Sequence, residues 1–129
     1  METVALLDQH YLRENYHQVG FSYLLPEILE LFRSQATLHL ETIEQYLALC
    51  NLHQVAQEAH TLKGAAGSVG AAALALAAHH LEETAPGNDI AAVSLQVAAL
   101  REITDKTTTA ITAELARLAT GADDDLDLL

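Results

Sequence analysis

One histidine in this 129-residue sequence has neighbours that could support chemistry. Apolar residues recur every three or four positions after Asn51, so we expect a helix there. Its buried stripe comprises Val55, Ala59, Leu62, Ala66 and Val69. At about 100° per residue, His60 lies more than about 100° from the middle of that stripe and therefore faces solvent. An imidazole is largely unprotonated near neutral pH, and in that form it is a good nucleophile.

Small residues surround His60 on the same predicted face. Ala56, Lys63, Gly64 and Gly67 lie within about 60° of it around the helix. A glycine inside a helix costs roughly 0.5–1 kcal/mol relative to alanine, and the sequence uses alanine freely elsewhere. An exposed glycine adds nothing to a core. We therefore expect Gly64 and Gly67 to let another surface approach the imidazole.

Lys63 is the only lysine or arginine between Arg33 and Arg101. It follows His60 by one helical turn, within reach of a group bound to the ring. A phosphoryl group would bring about two negative charges, which an ammonium at this position would stabilise. An exposed histidine beside a lysine is also ordinary protein surface. The two glycines and the single positive charge together favour a phosphoryl-carrying site.

The other histidines fit less specific interpretations. His53 lies two turns before His60 and about 20° from it, so it could line a docking face or be plain surface at a helix start. His39 falls in the apolar stripe of the preceding helix, where we expect it to be hydrogen-bonded and at least half-buried. A di-iron bundle would need two Glu-x-x-His motifs, and the sequence has one, Glu14 to His17. We therefore expect no metal site.

The elements that hold these residues are predicted to be helices. The sequence has 23 Ala and 23 Leu against 6 Val and 5 Ile, with 6 Gly and 2 Pro. Alanine and leucine are the best helix formers, and the residues that fill sheets and tight turns are scarce. We therefore predict an all-α protein.

Turn residues and helix caps divide the chain into five helical stretches. Asp8 is a candidate cap of the first, Asn51 with Gln54 resembles a capping box for the third, and Asn88 or Asp89 caps the fifth. The first is predicted from about Asp8 to Val19, the second from near Leu25 until Cys50-Asn51 ends it, the third from near Leu52 to about Val69, the fourth from Ala71 to Thr84, and the fifth from Ile90 to at least Leu118, before Gly121. Four long helices with very short connections favour an antiparallel up-down four-helix bundle with a short extra N-terminal helix. We assign residues 1–120 to this bundle and 121–129 to an acidic tail expected to be disordered.

Charge excludes several classes of function. Six basic residues against 18 acidic ones give a net charge of −12 with histidine neutral. Nucleic-acid binders need a basic surface, and membrane-surface helices need lysine and arginine on their polar face. The sequence has no apolar run long enough to span a membrane and no secretory signal, and Cys50 is its one cysteine. We expect a cytoplasmic, monomeric protein that binds neither nucleic acid nor membrane.

The run from Ala59 to Gly70, AHTLKGAAGSVG, resembles the motif of histidine-containing phosphotransfer (HPt) domains of bacterial phosphorelays. Further similarities are Gly20 before the second helix, Leu31-Phe32 within it and Leu81-Glu82 closing the fourth. The resemblance covers about residues 5–119. It implies a four-helix bundle whose exposed histidine exchanges a phosphoryl group with receiver-domain aspartates.

Carried onto this sequence, the resemblance makes His60 the phosphoryl acceptor and donor, through its Nε2 atom. Lys63 would offset the charge, and Gly64 would leave room for the receiver's loops, with Gly67, Ala56 and His53 near the docking surface. The Mg²⁺ that the reaction needs would be bound by the receiver, so we expect no cofactor in this chain. The sequence has no P-loop or dinucleotide-binding glycine motif, which suits a carrier that is not an enzyme.

One alternative from another class stays open. A helical adaptor could present the same face to a signalling protein without being phosphorylated. Composition and periodicity are equally compatible with that function, and only the cluster around His60 argues against it.

Overall fold

The computed structural model describes residues 4–120, and within them every regular element is helical. The predicted acidic tail, 121–129, lies outside the described residues. The chain begins with a short helix α1 that continues as one π-helical turn, and a 3₁₀ turn at Ser22–Leu24 leads into the long helices. The bounds are α1 Gln9–Leu12, the π-helical turn Arg13–His17, α2 Leu25–Ala48, α3 Leu52–Ser68, α4 Ala72–Thr84 and α5 Ile90–Ala119.

The first helical stretch is shorter than the sequence predicted. It ends at His17 rather than Val19, after a π-helical turn that periodicity did not indicate. A turn then follows, and Gly20 takes a positive φ of 83°. That left-handed conformation is open to glycine without a steric penalty, so Gly20 closes the stretch as expected.

Capping side chains start three helices. Asp8, Asn51 and Asp89 each accept a hydrogen bond from the backbone N–H three residues further on, at 3.1–3.3 Å. The capping box predicted at Asn51 is only half correct, because the Asn51 N–H donates to the carbonyl of Tyr46 at 2.9 Å. That bond gives a partner to a backbone carbonyl at the end of α2, which has none within the helix. Asn51 therefore ends α2 through its N–H and caps α3 through its side chain.

The long helices pack in pairs around one core. α2 contacts α3 and α5, and α4 contacts the same two helices. All five residues of the stripe predicted for α3 are buried. No helix within residues 4–120 is long and apolar enough to cross a bilayer.

The apolar spacing of α5 predicts a buried stripe of Ile90, Val93, Val97, Leu100, Ile111, Leu115 and Leu118. Ile90 is exposed, so the prediction is wrong at its start, whereas the next four members are buried and the last two are half-buried against the core. Three polar residues are buried instead: Thr104, Thr107 and Glu114. Each threonine hydroxyl donates to the carbonyl four residues earlier, at 2.6–2.7 Å, which lets it enter a core. Glu114 accepts hydrogen bonds from Gln9 and Arg117.

The N-terminal segment holds the turn between α3 and α4. The Asp8 N–H donates to the Gly70 carbonyl at 2.8 Å, and the Ala73 N–H donates to the Ala5 carbonyl at 2.9 Å. The hydroxyls of Tyr11 and Tyr16 both donate to the carbonyl of Ser68, at 3.2 and 3.0 Å. Burial raises the pKa of Tyr16, which keeps its hydroxyl a donor. The carboxyl end of α3 is therefore fixed from outside the helix.

Candidate functional site

His60 stands on the outer face of α3 because the opposite face of that helix is the core. Val55, Ala59 and Leu62 are fully buried, and they fix the rotation of the helix about its axis. The His60 side chain is 68% exposed, as the helical periodicity predicted. The exposure of His60 therefore follows from the packing of apolar residues on the opposite face of α3.

A carboxylate from α4 joins His60 and Lys63 into one cluster. Nδ1 of His60 lies 2.9 Å from Oε2 of Glu82 and 3.1 Å from Oε1. Nζ of Lys63 lies 3.1 Å from Oε2 and 3.2 Å from Oε1 of the same residue. Glu82 and Lys63 are half-buried, with side chains 25% and 31% exposed. One carboxylate thus contacts both residues that the sequence singled out.

This contact determines which imidazole nitrogen is available for chemistry. An ionised carboxylate can only accept hydrogen bonds, so Nδ1 of His60 must carry the proton that it shares with Glu82. In the neutral ring the lone pair then resides on Nε2. The geometry makes Nε2 the nucleophilic atom, on the side of the ring away from Glu82.

The electrostatics of the cluster keep that carboxylate ionised. The hydrogen bond from His60 lowers the pKa of Glu82, and the one from Lys63 lowers it further. Both donors favour the charged form of the acid. At neutral pH Glu82 is therefore an anion, which accepts the hydrogen bond from Nδ1 of His60.

Glu82 is the member of this cluster that sequence reasoning missed. The resemblance to Hpt domains includes Leu81-Glu82 at the end of the fourth helix and implies no role for the glutamate. His60 and Glu82 are 22 positions apart and meet only because α3 packs against α4. No local pattern in either helix contains that information.

Gly64 and Gly67 leave open space beside the imidazole. Both are exposed, and a Cβ atom built on either would meet nothing within 4 Å. The packing of the described residues thus gives no reason for glycine at these positions. Ala56 is half-buried one turn before His60 on the same face, so this surface stays flat.

His53 is exposed but is not brought into the cluster. Its Nε2 atom lies 3.0 Å from Nε2 of Gln57, one turn along α3. His39 is half-buried on α2 and bonds to Glu58 of α3 at 2.5 Å, as its place in the apolar stripe predicted. Glu14 of the lone Glu-x-x-His motif pairs with His10 at 3.0 Å. Across residues 4–120, no group of three or more His, Cys, Asp or Glu side chains could hold a metal ion.

Comparison with known proteins identifies the family. The sequence model of the Hpt domain matches residues 27–121, about three-quarters of the chain. The chain belongs to the Hpt domain family. As an Hpt domain, it has a histidine phosphotransfer role in a two-component phosphorelay, and Hpt domains are phosphoryl carriers that interact with receiver domains.

A solved structure shares the fold of this Hpt domain. It is the crystal structure of histidine-containing phosphotransfer protein B (HptB) from Pseudomonas aeruginosa PAO1, with a TM-score of 0.80. The two sequences are 20% identical, and the match covers 89% of this chain and 98% of that chain. No curated protein sequence matches the chain significantly.

Proposed function

We propose that Nε2 of His60 accepts a phosphoryl group from a receiver-domain aspartate and passes it to the aspartate of a second receiver. The lone pair of Nε2 forms the N–P bond while the P–O bond to the donor aspartate breaks and its electrons return to that carboxylate. In the second step a carboxylate oxygen of the second receiver's aspartate forms a new P–O bond while the N–P bond breaks and its electrons return to Nε2. The observation that carries this proposal is the hydrogen bond from Nδ1 to Glu82, which leaves Nε2 unprotonated and exposed.

Around His60 we assign the remaining site residues to charge stabilisation and docking. Lys63 lies one turn away and would offset the charge of the phosphoryl group. Gly64, Gly67 and Ala56 would allow close approach of the receiver, with His53 at the margin of the docking surface. The Mg²⁺ that the transfer needs would belong to the receiver, and this chain would contribute no cofactor and no enzymatic activity of its own.

For the whole chain we infer an antiparallel up-down bundle within residues 1–120. Arg33 in the first half of α2 bonds to Thr112 near the end of α5, at 2.9 Å. Glu44 near the end of α2 bonds to Arg101 in the first half of α5. These two contacts support opposite directions for α2 and α5. We also propose that the protein acts in the cytoplasm as a monomer and binds neither nucleic acid nor membrane, which its net charge of −12 supports.

The experiment that tests the proposal is phosphoryl transfer to a His60→Gln variant. Wild-type protein incubated with a phosphorylated receiver domain should acquire an acid-labile, base-stable phosphoryl group, which is the lability of a phosphoramidate. The variant should acquire none, and its free energy of unfolding should change by less than about 0.5 kcal/mol because His60 is outside the core. Labelling that persists in the variant would contradict the assignment and direct attention to His53. A wild-type protein that binds the receiver but is never labelled would favour the adaptor function.

A further inference from the structure

The outer face of α3 lies between two neighbouring helices, and His60 is turned towards one of them. On one flank of that face, Lys63 contacts Glu82 of α4. On the other flank, Glu58 contacts His39 of α2. Nδ1 of His60 bonds to Glu82, so this nitrogen faces α4. A group on Nε2 therefore projects away from α4 and towards the α2 flank.

Gln57 is the residue on the α2 flank, within one turn of His60, whose side chain can donate a hydrogen bond to such a group. At about 100° per residue, Gln57 and Gly64 lie about 60° and 40° from His60 towards α2. Lys63 lies about 60° from it towards α4. Gly64 has no side chain, and the Thr61 hydroxyl already donates to the backbone carbonyl of Gln57 at 3.3 Å. Side chains three positions apart on a helix can interact, so the Gln57 amide is within reach of a group on Nε2.

The Gln57 amide is held by His53, one turn earlier on the same face. Its Nε2 atom lies 3.0 Å from Nε2 of His53. An amide nitrogen can only donate, so the histidine nitrogen accepts, and the His53 proton lies on Nδ1. The amide carries two N–H bonds, and within residues 4–120 the second has no hydrogen-bond acceptor. Gln57 is exposed, so this N–H can bind an acceptor that arrives from solvent.

We propose that Gln57 is a phosphoryl-binding residue, which donates its second amide N–H to an oxygen of the phosphoryl group on Nε2 of His60. This inference rests on the proposed function. His53 is then a positioning residue, because its contact with Gln57 directs the amide. Gln57 keeps both of its protons, and no covalent bond changes besides the P–O and N–P bonds of the transfer itself.

The two neighbours of the phosphoryl group would act from opposite flanks. A phosphoryl group carries about two negative charges and three acceptor oxygens, so Lys63 and Gln57 can bind different oxygens. Lys63 contributes a charge that it also shares with Glu82. Gln57 contributes a neutral hydrogen bond, which is made only while His60 is phosphorylated.

Nuclear magnetic resonance of the wild-type protein tests the contact directly. The protein is phosphorylated with phosphoramidate, a chemical phosphoryl donor, and the side-chain amide resonances are compared before and after. One amide proton of Gln57 should move downfield when His60 is phosphorylated, because it acquires a charged acceptor. The amide protons of Gln45 should not move, since this glutamine is exposed on the face of α2 opposite its buried residues.

Variants measure what the contact contributes to the phosphorylated state. Gln57→Ala and the matched control Gln45→Ala each exchange a phosphoryl group with a receiver domain that labels the wild type. The ratio of phosphorylated Hpt protein to phosphorylated receiver is determined at equilibrium, at concentrations too low for a complex to accumulate. One hydrogen bond changes an equilibrium by about three- to tenfold, so Gln57→Ala should shift the ratio towards the receiver by that factor. Gln45→Ala should match the wild type, and melting temperatures verify that both variants fold.

His53→Ala tests the positioning role on the same ratio. It should shift the ratio in the same direction as Gln57→Ala, by a smaller factor. In the Gln57→Ala background it should add nothing, because its effect passes through the amide. A further shift in the double variant would contradict the positioning role of His53.

Several results would overturn the inference. An unchanged ratio in Gln57→Ala would do so even if transfer slows, because a contact with the receiver alone alters the rate and not the equilibrium between the separate proteins. Equal shifts in Gln57→Ala and Gln45→Ala would reduce the effect to a general one. Unmoved Gln57 amide protons in the phosphorylated wild type would contradict the contact without recourse to any variant. Absence of a base-stable phosphoryl group in the wild type would instead contradict the proposed function itself.

Discussion

Lys63 pairs with Glu82 in this Hpt domain, and the proposed phosphoryl group on His60 would be its second partner. In the unphosphorylated protein it bonds to Glu82, so the single cation of the α3 face is already neutralised. A phosphoryl group on Nε2 of His60 would compete with Glu82 for the same ammonium. In the proposed phosphorylated state, the Lys63 ammonium would therefore pair with both Glu82 and the phosphoryl group.

This sharing sets the expected effect of Lys63→Ala. Ion pairs that are partly exposed change equilibria by only a few-fold, so transfer should slow by a few-fold without being abolished. The defect should shrink as salt is added, because screening weakens the wild-type interaction too. The rate of receiver-to-His60 transfer, measured at low and high salt, checks this.

Lys106→Ala is the matched control for that measurement. It removes the same charge from α5, where Lys106 pairs with Glu102 at 3.1 Å. A complete loss of transfer in Lys63→Ala would show that Lys63 contacts the receiver's own site. Equal effects of the two variants would show that only net charge matters.

The outer face of α3 has few projecting side chains beside His60, because Gly64 and Gly67 lie there. Two glycines on this face have open space around them, and the imidazole projects above them. The helix gains no packing from these glycines, and each lowers its intrinsic helical stability. In the proposed function this surface admits the receiver domain, and the helix gives up intrinsic stability for it.

Gly64→Leu should separate these two properties. A branched side chain one turn from His60 should block receiver docking and reduce transfer strongly. The free energy of unfolding should rise by somewhat under 1 kcal/mol, because leucine favours a helix over glycine and nothing within 4 Å obstructs it. Urea denaturation and transfer assays on the same sample check both.

Ala98→Leu provides the comparison for Gly64→Leu. It adds a leucine at an exposed position of α5, which packs on α2 and α4. Transfer should be unaffected in this variant. Unchanged transfer in Gly64→Leu would contradict the steric role of the glycine.

The same helix shows how far the sequence determines the site. The apolar stripe of α3 fixes the outward direction of His60, Lys63 and Gly64, so those three could be predicted from periodicity. Glu82 could not, because its contact depends on how two helices pack. In α5, Thr104 and Thr107 are buried although they are polar, because their hydroxyls donate to carbonyls of the same helix. A pattern of apolar residues could not predict their burial.

Across the whole molecule, an ion pair links the first long helix to the last. Arg101 donates from Nε to Oε2 of Glu44 at 2.7 Å and from Nη2 to Oε1 at 2.5 Å. The hydrogen bond from Arg101 lowers the pKa of Glu44 below its ordinary 4.5. A carboxyl with a lowered pKa in the folded state stabilises the fold above its unfolded pKa. That stabilisation is lost as the pH falls through the folded value.

Arg101→Met should therefore lower the melting temperature at pH 7. The difference from the wild type should vanish as the pH falls below the lowered pKa of Glu44, because the carboxyl is then protonated in both proteins. Thermal melts from about pH 7 down to about pH 3 would follow this change. Lys106→Met, which removes the same charge from an exposed pair, should show a smaller difference at pH 7. A pH-independent difference for Arg101→Met would mean that packing, and not the ion pair, is lost.

The family pattern begins at residue 27, yet Asp8, Tyr11 and Tyr16 secure the end of α3. The stretch that the family model matches is thus shorter than the stretch that holds the end of α3. A hybrid protein that grafts only residues 27–121 onto another signalling chain would carry His60 without the N-terminal contacts that fix the end of α3. A graft that keeps these N-terminal contacts has to begin upstream of Ala5, whose carbonyl accepts a hydrogen bond from the N–H of Ala73.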